Sequence, residues 1–242
     1  MERERIDKLL VARGLFDSRA RAQAAIVAGC VQVGGRVVDK PSEPVAWDAV
    51  IDARAPHPFV SRGGLKLEAA LETFEIDPSG RIALDIGAST GGFTDVLLRR
   101  GARRIYAVDV GHGQFHARLR DEPRVVLMEG TDARTLRPAV IGEPVDLVVA
   151  DVSFISLGLV LPAVLTCAGA HAVLVALVKP QFEAGPAHVR KGIVRDPAVR
   201  EAVCARARDL VTDLGWHVIG LRPSPIAGGD GNVEYLLGAR RP

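Results

Sequence analysis

The chain has 242 residues, enough for one full α/β domain plus a small additional module. Apolar residues at 48% and charged residues at 25% exclude a disordered or fibrous chain. A formal net charge of +2 is too small to mark a nucleic-acid binder by bulk charge, so any such reading has to rest on local clusters.

Met1 to Arg5 carries alternating charges and leads straight into a helical pattern, without the apolar stretch of a secretory signal. Ile6, Leu9 and Leu10 share a helix face, Gly14 stops that helix, and Ser18 caps a second one that continues through Ala22, Ala25 and Ile26 to Gly29. Val31 and Val33 then alternate with polar neighbours up to Gly34-Gly35, a two-residue turn that reverses the strand into Arg36-Val37-Val38. The expected product is a compact αα-β unit. Arg5-Ile6-Asp7-Lys8-Leu9-Leu10, Ser18-Arg19, Ile26, Gly29, Val31-Gln32-Val33-Gly34-Gly35 and Lys40-Pro41-Ser42 resemble an S4-type RNA-binding domain over about residues 3–52. That family usually has Asn where this chain has Gly34, a change that keeps the positive φ of the turn. The resemblance implies that the basic side chains flanking the two helices, Arg3, Arg5, Lys8, Arg13, Arg19 and Arg21, meet RNA phosphates. A solvated surface balanced by Glu2, Glu4, Asp7 and Asp17 stays open as the other reading of each.

Ala55-Pro56-His57-Pro58 resists both helix and central strand, which divides the chain into residues 1–54, a linker at 55–60 and a second domain at 61–242. Strands are expected at Arg81 to Asp85, Arg103 to Asp109, Val125 to Glu129, Val145 to Asp151, Ala172 to Val178, His217 to Leu221 and Val233 to Leu237. Helices are expected over Phe93 to Arg100 and near 156–168 and 197–214. This alternation implies an α/β fold with a doubly wound, mostly parallel sheet whose ligands bind beyond the carboxyl ends of the strands. Leu157 to Val178 holds no charged residue and is about as long as a spanning helix of ~20 residues. Pro162, Gly169 and His171 interrupt it, and its composition shifts as expected for a buried helix, a turn and a central strand, so no membrane span is assigned.

Between the first strand and its helix lies Asp85-Ile86-Gly87-Ala88-Ser89-Thr90-Gly91-Gly92-Phe93-Thr94. Its glycines permit close backbone approach, and the helix that follows offers free N–H groups to a polar or anionic ligand. The order departs from the dinucleotide pattern Gly-x-Gly-x-x-Gly and lacks the Gly-Lys-Ser/Thr of a phosphate loop. Asp109, ending the second strand, can accept both ribose hydroxyls of an adenosine moiety, and Asp132, after the third, can accept an adenine amino group. A turn or helix cap is the alternative for each acid. Together these segments resemble the S-adenosylmethionine-binding series of class I methyltransferases. That resemblance implies an antiparallel last strand and cofactor contacts from Gly87, Ser89, Thr90, Gly91, Gly92, Phe93, Asp109, Asp132 and Asp151.

Val60-Ser61-Arg62-Gly63-Gly64-Leu65-Lys66-Leu67, Asp151-Val152-Ser153-Phe154-Ile155-Ser156, Val178-Lys179-Pro180-Gln181-Phe182-Glu183 and Gly231-Asn232-Val233-Glu234-Tyr235 follow the linker, the fourth and fifth strands, and open the last strand. With the S4-like start they resemble the TlyA (hemolysin A) family of ribosomal RNA 2′-O-methyltransferases, related to FtsJ-type enzymes, over essentially the whole chain. The resemblance implies a catalytic tetrad of Lys66, Asp151, Lys179 and Glu234, S-adenosylmethionine as cofactor, and ribosomal RNA or ribosomal subunits, through cytidine, as partner. A ribose hydroxyl is a weak nucleophile at neutral pH and needs a base or a cationic environment, a role for which Lys179 is the candidate, with Asp151 and Glu234 orienting the lysines. In isolation Lys66 or Glu234 reads as an ordinary surface ion pair.

The polar loop Gly185 to Asp196, with Arg190, Lys191 and Arg195, either closes on RNA or is a mobile surface loop; Arg62, Arg190 and Lys191 join the candidate RNA contacts. Methylating a sugar requires an accessible nucleotide, which implies local unstacking of the target. Cys30, Cys167 and Cys204 are isolated and fit a reducing cytoplasm, no histidine pair has metal-binding spacing, and no metal is assigned. A monomer is the expected state, with oligomerisation left open. A non-catalytic RNA-binding ribosome-assembly factor and a membrane-active hemolysin are the rival readings; the second lacks a cationic amphipathic helix.

Overall fold

The computed structural model describes residues 3–242 apart from the side chain of Asp230; Met1 and Glu2, which the sequence places in the charged lead-in, lie outside the described residues. The chain divides into two compact units, Met1–Pro58 and Phe59–Pro242.

In the first unit β1 (Arg3–Arg5) leads into α1 (Ile6–Ala12), followed by α2 (Arg19–Val27), β2 (Val31–Val33), β3 (Arg36–Val37), β4 (Pro44–Ala46) and β5 (Ile51–Ala53). Ser18 caps α2 by accepting the Arg21 N–H at 3.3 Å. Ile6, Leu9, Leu10, Ala22, Ala25, Ile26 and Val31 form the core expected from their helical spacing. The unit carries more strand than the αα-β expectation: β4 pairs antiparallel with β1, and β5 with β2, which also pairs with β3. These short strands lack an alternating run long enough to read, and their partners lie far along the chain.

Asp7 is fully buried in this unit. Its carboxylate accepts from the Arg5 guanidinium at 3.0 and 3.1 Å, from Arg19 at 2.9 Å and from Gln23 at 2.7 Å. Hydrogen bonding from Arg5, working against burial and helped by Gln23 and Arg19, holds the carboxyl well below the usual carboxylate range.

The second unit contains α3 (Gly63–Thr73), β6 (Ile82–Ile86), α4 (Gly92–Arg99), β7 (Arg104–Asp109), α5 (Ala117–Arg120), β8 (Val125–Glu129), α6 (Pro138–Ile141), β9 (Val145–Ala150), α7 (Leu157–Val164), β10 (Ala168–Val178), α8 (Pro180–Glu183), α9 (Pro197–Asp213), β11 (His217–Pro223) and β12 (Tyr235–Arg240). Among the described residues these strands form one seven-stranded sheet in the order β11-β12-β10-β9-β6-β7-β8. The five strands from β10 to β8 are parallel, and β12 runs antiparallel to both neighbours. The last strand starts two residues later than the sequence suggests, which leaves Glu234 in the turn before it.

Alternate residues of the central strands enter opposite cores, as the period-2 geometry of a strand requires. Leu84, Ile86, Val148, Ala150, Leu174 and Ala176 pack with α7 and α9, whereas Ala83, Leu147, Val149, Val175 and Leu177 pack with α3 and α4. Phe59 and Val60, assigned to the linker by composition, are buried in the α3 and α4 core, and the Val60 N–H donates to Asp95 at 2.9 Å. Among the described residues no helix is long and apolar enough to cross a membrane.

The acid response of the first unit follows from Asp7. A carboxyl whose folded pKa is depressed contributes stability fully present above its unfolded value of about 3.9 and lost as pH falls through the folded value. Asp7→Asn is expected to weaken this unit by about 1–3 kcal/mol at neutral pH, measured by hydrogen exchange at the α1 and α2 amides of the full chain. The gap from wild type should shrink below about pH 4; a gap constant down to acid unfolding would contradict the assignment.

Candidate active site

In a doubly wound sheet the chain leaves neighbouring strands at one edge, so residues far apart in sequence meet there. Gly87 follows β6, Asp109 ends β7, Asp151 follows β9 and Lys179 follows β10. The antiparallel register pairs Val178 with Tyr235, which sets Glu234 at the same edge as Lys179. Lys66 arrives from the first turn of α3, a helix absent from the sequence expectation although Leu67, Ala70, Leu71 and Phe74 repeat with its period and are all buried.

The four residues form two lysine–carboxylate pairs. Lys66 Nζ lies 2.5 Å from Glu234 Oε2, and Lys179 Nζ lies 2.7 Å from Asp151 Oδ1. Lys66, Lys179 and Glu234 are buried, where an unpaired charge is costly. Gln181 donates to the other Glu234 oxygen at 3.3 Å, and Lys179 donates to Ser153 Oγ at 2.9 Å. Lys66 and Asp151 line a common cavity of about 170 Å³ with Arg62, Ser89, Thr90, Gly92 and Phe93, which links the two pairs to the glycine-rich turn.

That turn is shaped by close approach. Gly87 has φ +79°, and a Cβ there would stand 2.6 Å from the Asp151 carbonyl oxygen. Gly91 is the N-cap of α4, and Phe93 is buried behind it in the α3 and α4 core. A second cleft, of about 550 Å³, opens beside the turn; Gly87, Ser89, Asp109, Asp132 and Asp151 line it. This volume lies within the roughly 300–1,000 Å³ of small-molecule sites. Its walls add Val108, Gln114, Thr131, Val152, Ile155 and Val160, residues that sequence reasoning missed because nothing but folding brings them together.

The two cleft acids also do what the alternative reading described. Asp109 accepts the Ser89 N–H at 2.8 Å and the Gly111 N–H at 2.7 Å. Asp132 is an N-cap, accepting from the Arg134 N–H at 2.9 Å and from its guanidinium, and hydrogen bonding from Arg134 lowers its pKa. Each Asp109 oxygen accepts one bond and keeps a further lone pair at the cleft, whereas each Asp132 oxygen already accepts two N–H contacts from Arg134, so a ligand donor there has to displace the Arg134 guanidinium.

Phe154 is 91% exposed and has φ +63°, a backbone region that bulky residues avoid. Its ring lies against Phe182 with centroids 5.0 Å apart, next to the Lys179 pair. The chain around it is pinned: Asp151 N–H donates to Ile86 O at 2.9 Å, while Ser156 Oγ and the Leu157 N–H both donate to Glu183 at 2.7 Å.

Asn232 is buried and was missed as a functional position. It donates to the Gly192 carbonyl at 2.8 Å and to Gly229 at 3.2 Å, tying the hairpin that bears Arg190 and Lys191 to the turn before Glu234. In that turn a Cβ on Gly228 would overlap the Glu234 carboxylate. The sequence signal was an Asn directly after a glycine-rich stretch and just before a strand.

The candidate basic residues of the first unit are engaged internally. Arg3 donates to Pro44 O, Arg13 to Ala49 O, Arg5 and Arg19 to Asp7, and Arg21 to Asp17, with Lys8 3.9 Å from Glu4. Such pairs steady the guanidinium groups and leave their outer donors exposed. Among the described residues no cluster could hold a metal ion.

Asp85 heads the glycine-rich segment and is fully buried. Thr94 Oγ1 donates to its Oδ2 at 2.6 Å, and Oδ1 has no protein partner. Burial, reinforced by the charges of Asp151 and Asp109 and opposed by the Thr94 bond, pushes this carboxyl up to about 7.

Comparison with known proteins gives a consistent set of relatives. Residues 59–241 match the FtsJ-like methyltransferase family, and residues 4–51 match the S4 domain. The 16S/23S rRNA (cytidine-2′-O)-methyltransferase TlyA of Mycobacterium tuberculosis is 51% identical over 98% of this chain and 90% of its own. Hemolysin A of Brachyspira hyodysenteriae is 40% identical over 96% of this chain and 98% of its own. A solved structure from Streptococcus thermophilus, provisionally named as a hemolysin, is similar at a TM-score of 0.79 and 42% identity, covering 100% of this chain and 89% of that one.

Asp85 supplies a pH test of the site's architecture. Between about pH 4, the unfolded value, and pH 7 the folded chain holds a proton that the unfolded chain has released, so the stability it confers is present at low pH and lost as pH rises through about 7. Asp85→Asn should therefore raise the melting temperature above wild type at pH 8 and raise it clearly less at pH 5, where only part of that loss has accrued. Equal shifts at both pH values in scanning calorimetry would show an ionised Asp85.

Proposed function

Because the chain belongs to the FtsJ-like methyltransferase family, and through its S4 domain to the TlyA (hemolysin A) group, we propose that it methylates a ribose 2′-oxygen of ribosomal RNA. The methyl donor is S-adenosylmethionine and the target nucleoside is cytidine. The observation that carries this reading is the meeting of Lys66, Asp151, Lys179 and Glu234 as two buried pairs beside the glycine-rich turn.

The larger cleft fits the cofactor's chemistry. Val108, Val152, Ile155 and Val160 give apolar walls for a flat base, Asp109 has acceptor capacity for ribose hydroxyls, and Asp132 accepts an amino group once the Arg134 guanidinium swings away. Ser89 lines both cavities, whereas Thr90, Gly92 and Phe93 line the smaller one, into which Lys66 and Asp151 also open. When bound, S-adenosylmethionine supplies a methyl group made electrophilic by its sulfonium. Lys179 accepts the proton of the 2′-hydroxyl, turning a weak nucleophile into a competent one. Asp151 keeps the Lys179 amine in place at 2.7 Å. Lys66, steadied by Glu234, adds a positive charge that favours negative charge developing on the ribose oxygen.

RNA binding extends this reading. Arg3, Arg5, Lys8, Arg13, Arg19 and Arg21 contact phosphates from the first unit, while Arg62, Arg190 and Lys191 contact RNA around the transfer site. Phe154, exposed next to the Lys179 pair, offers its face to a base that has left its stack. The enzyme acts in the cytoplasm on ribosomal subunits and works as a monomer.

Labelled S-adenosylmethionine incubated with purified ribosomal subunits, followed by nucleoside analysis, tests the proposal. Wild type should yield 2′-O-methylcytidine, and Lys179→Ala should yield none in a single turnover while binding cofactor within about threefold of wild type. Absence of label on any subunit with wild type would point instead to a non-catalytic assembly factor. In the same assay Phe154→Ala should raise the RNA concentration for half-maximal rate by about tenfold, with cofactor affinity unchanged.

A further inference from the structure

We infer that Ser153 is a positioning residue for the proton-accepting lysine, holding the Lys179 amine so that its lone pair faces the substrate hydroxyl. This rests on the ribose-methylation reading above.

Among the described residues Lys179 Nζ donates a hydrogen bond to Ser153 Oγ at 2.9 Å, and Asp151 Oδ1, which no hydrogen bond reaches, stands 2.7 Å away as its ion-pair partner. The Phe182 ring, with its centroid 6.0 Å from Nζ, occupies a further side without offering an acceptor of comparable strength. A neutral amine carries two N–H bonds and one lone pair in a tetrahedral arrangement. With one N–H bond directed at Ser153, the lone pair is held away from the serine, and Lys179 keeps 7% of its surface accessible for a substrate hydroxyl to reach it. Without the serine hydroxyl no hydrogen bond fixes an N–H of the amine, and Asp151 holds it by charge alone. The amine then rotates about its Cε–Nζ bond, and the lone pair spends much of its time in the position Ser153 had filled.

Ser153 is well built for this task. It lies between Asp151, whose N–H is anchored on Ile86, and Phe154, whose left-handed backbone turns the chain before Ser156 and Leu157 are secured on Glu183. A hydroxyl also suits the position chemically. A second carboxylate beside Nζ would favour the ammonium form and keep the proton on the lysine, whereas a neutral acceptor orients the amine with far less bias toward its charged state. On taking the 2′-hydroxyl proton Nζ becomes an ammonium with three N–H bonds, one still directed at Ser153 and another at the ribose oxygen, with Asp151 beside it as counter-ion.

Ser153 also lines the larger cleft, so direct contact with the cofactor is the competing role. The full-length protein, purified ribosomal subunits and labelled S-adenosylmethionine separate the two, with cofactor affinity measured independently by calorimetry. Ser153→Ala is expected to lower kcat about tenfold, with the dissociation constant for S-adenosylmethionine within about twofold of wild type. Ser153→Thr, which keeps the hydroxyl, should recover kcat to within about threefold of wild type. Three results would overturn the inference: wild-type kcat in the alanine variant, a threonine variant no better than alanine, or cofactor affinity that weakens in step with kcat. Wild type that transfers no methyl group defeats the ribose-methylation reading and this role with it, whereas a defect in the inference alone appears with wild type fully active.

Discussion

A lysine taken out of water has to find a carboxylate, and the second unit is organised around meeting that requirement twice. Lys66 and Lys179 are both buried, and each reaches one acid that originates far along the chain. Removing either acid would leave a buried lysine without its partner, a change that costs far more than loss of a surface ion pair. The pairs therefore make demands on the fold. Lys179 needs β10 beside β9, so that Asp151 stands next to it, and Glu234 needs β12 in antiparallel register with β10.

The cofactor cleft depends on the same edge of the sheet. Gly87 leaves β6 against the Asp151 carbonyl with no room for a side chain, so the turn that lines the cleft and the acid that pairs Lys179 are packed directly on each other. Gly228 likewise has no room for a side chain, in its case against the Glu234 carboxylate. The Gly87 contact ties the turn to the acid through backbone that cannot move independently. The buried Asp85 beneath the turn adds an electrostatic cost near neutral pH that a core built for stability alone would avoid, as functional sites often do.

The first unit handles charge differently. Asp7 is buried, but its arginine partners retain exposed surface, so a single carboxylate organises Arg5 and Arg19 while leaving them open to solvent. The same side chains that read as a balanced, solvated surface can thus be both paired and available. Pairing of this kind reduces the side-chain entropy that an arginine loses when it meets a phosphate.

The sequence by itself determined the elements whose signals are local. Apolar runs marked the central strands, Ser18 marked a helix start, and the glycine-rich segment after β6 was visible as the turn that leads into a helix. The tetrad was legible because its residues stand in motifs that a known family shares; Lys66 alone carries no local sign of its role. Even its helix was passed over, despite the spacing of Leu67, Ala70, Leu71 and Phe74, because the glycines at 63 and 64 and the preceding prolines read as loop. Tertiary structure alone decided which lysine pairs with which acid, that Asp132 caps a turn while lining the cleft, and that Ser153 and Asn232 hold the parts in place. The reason is physical. Helix and strand formation depend on neighbours a few positions away, whereas an ion pair between residues 66 and 234 exists only after strand order and register have brought distant backbone together.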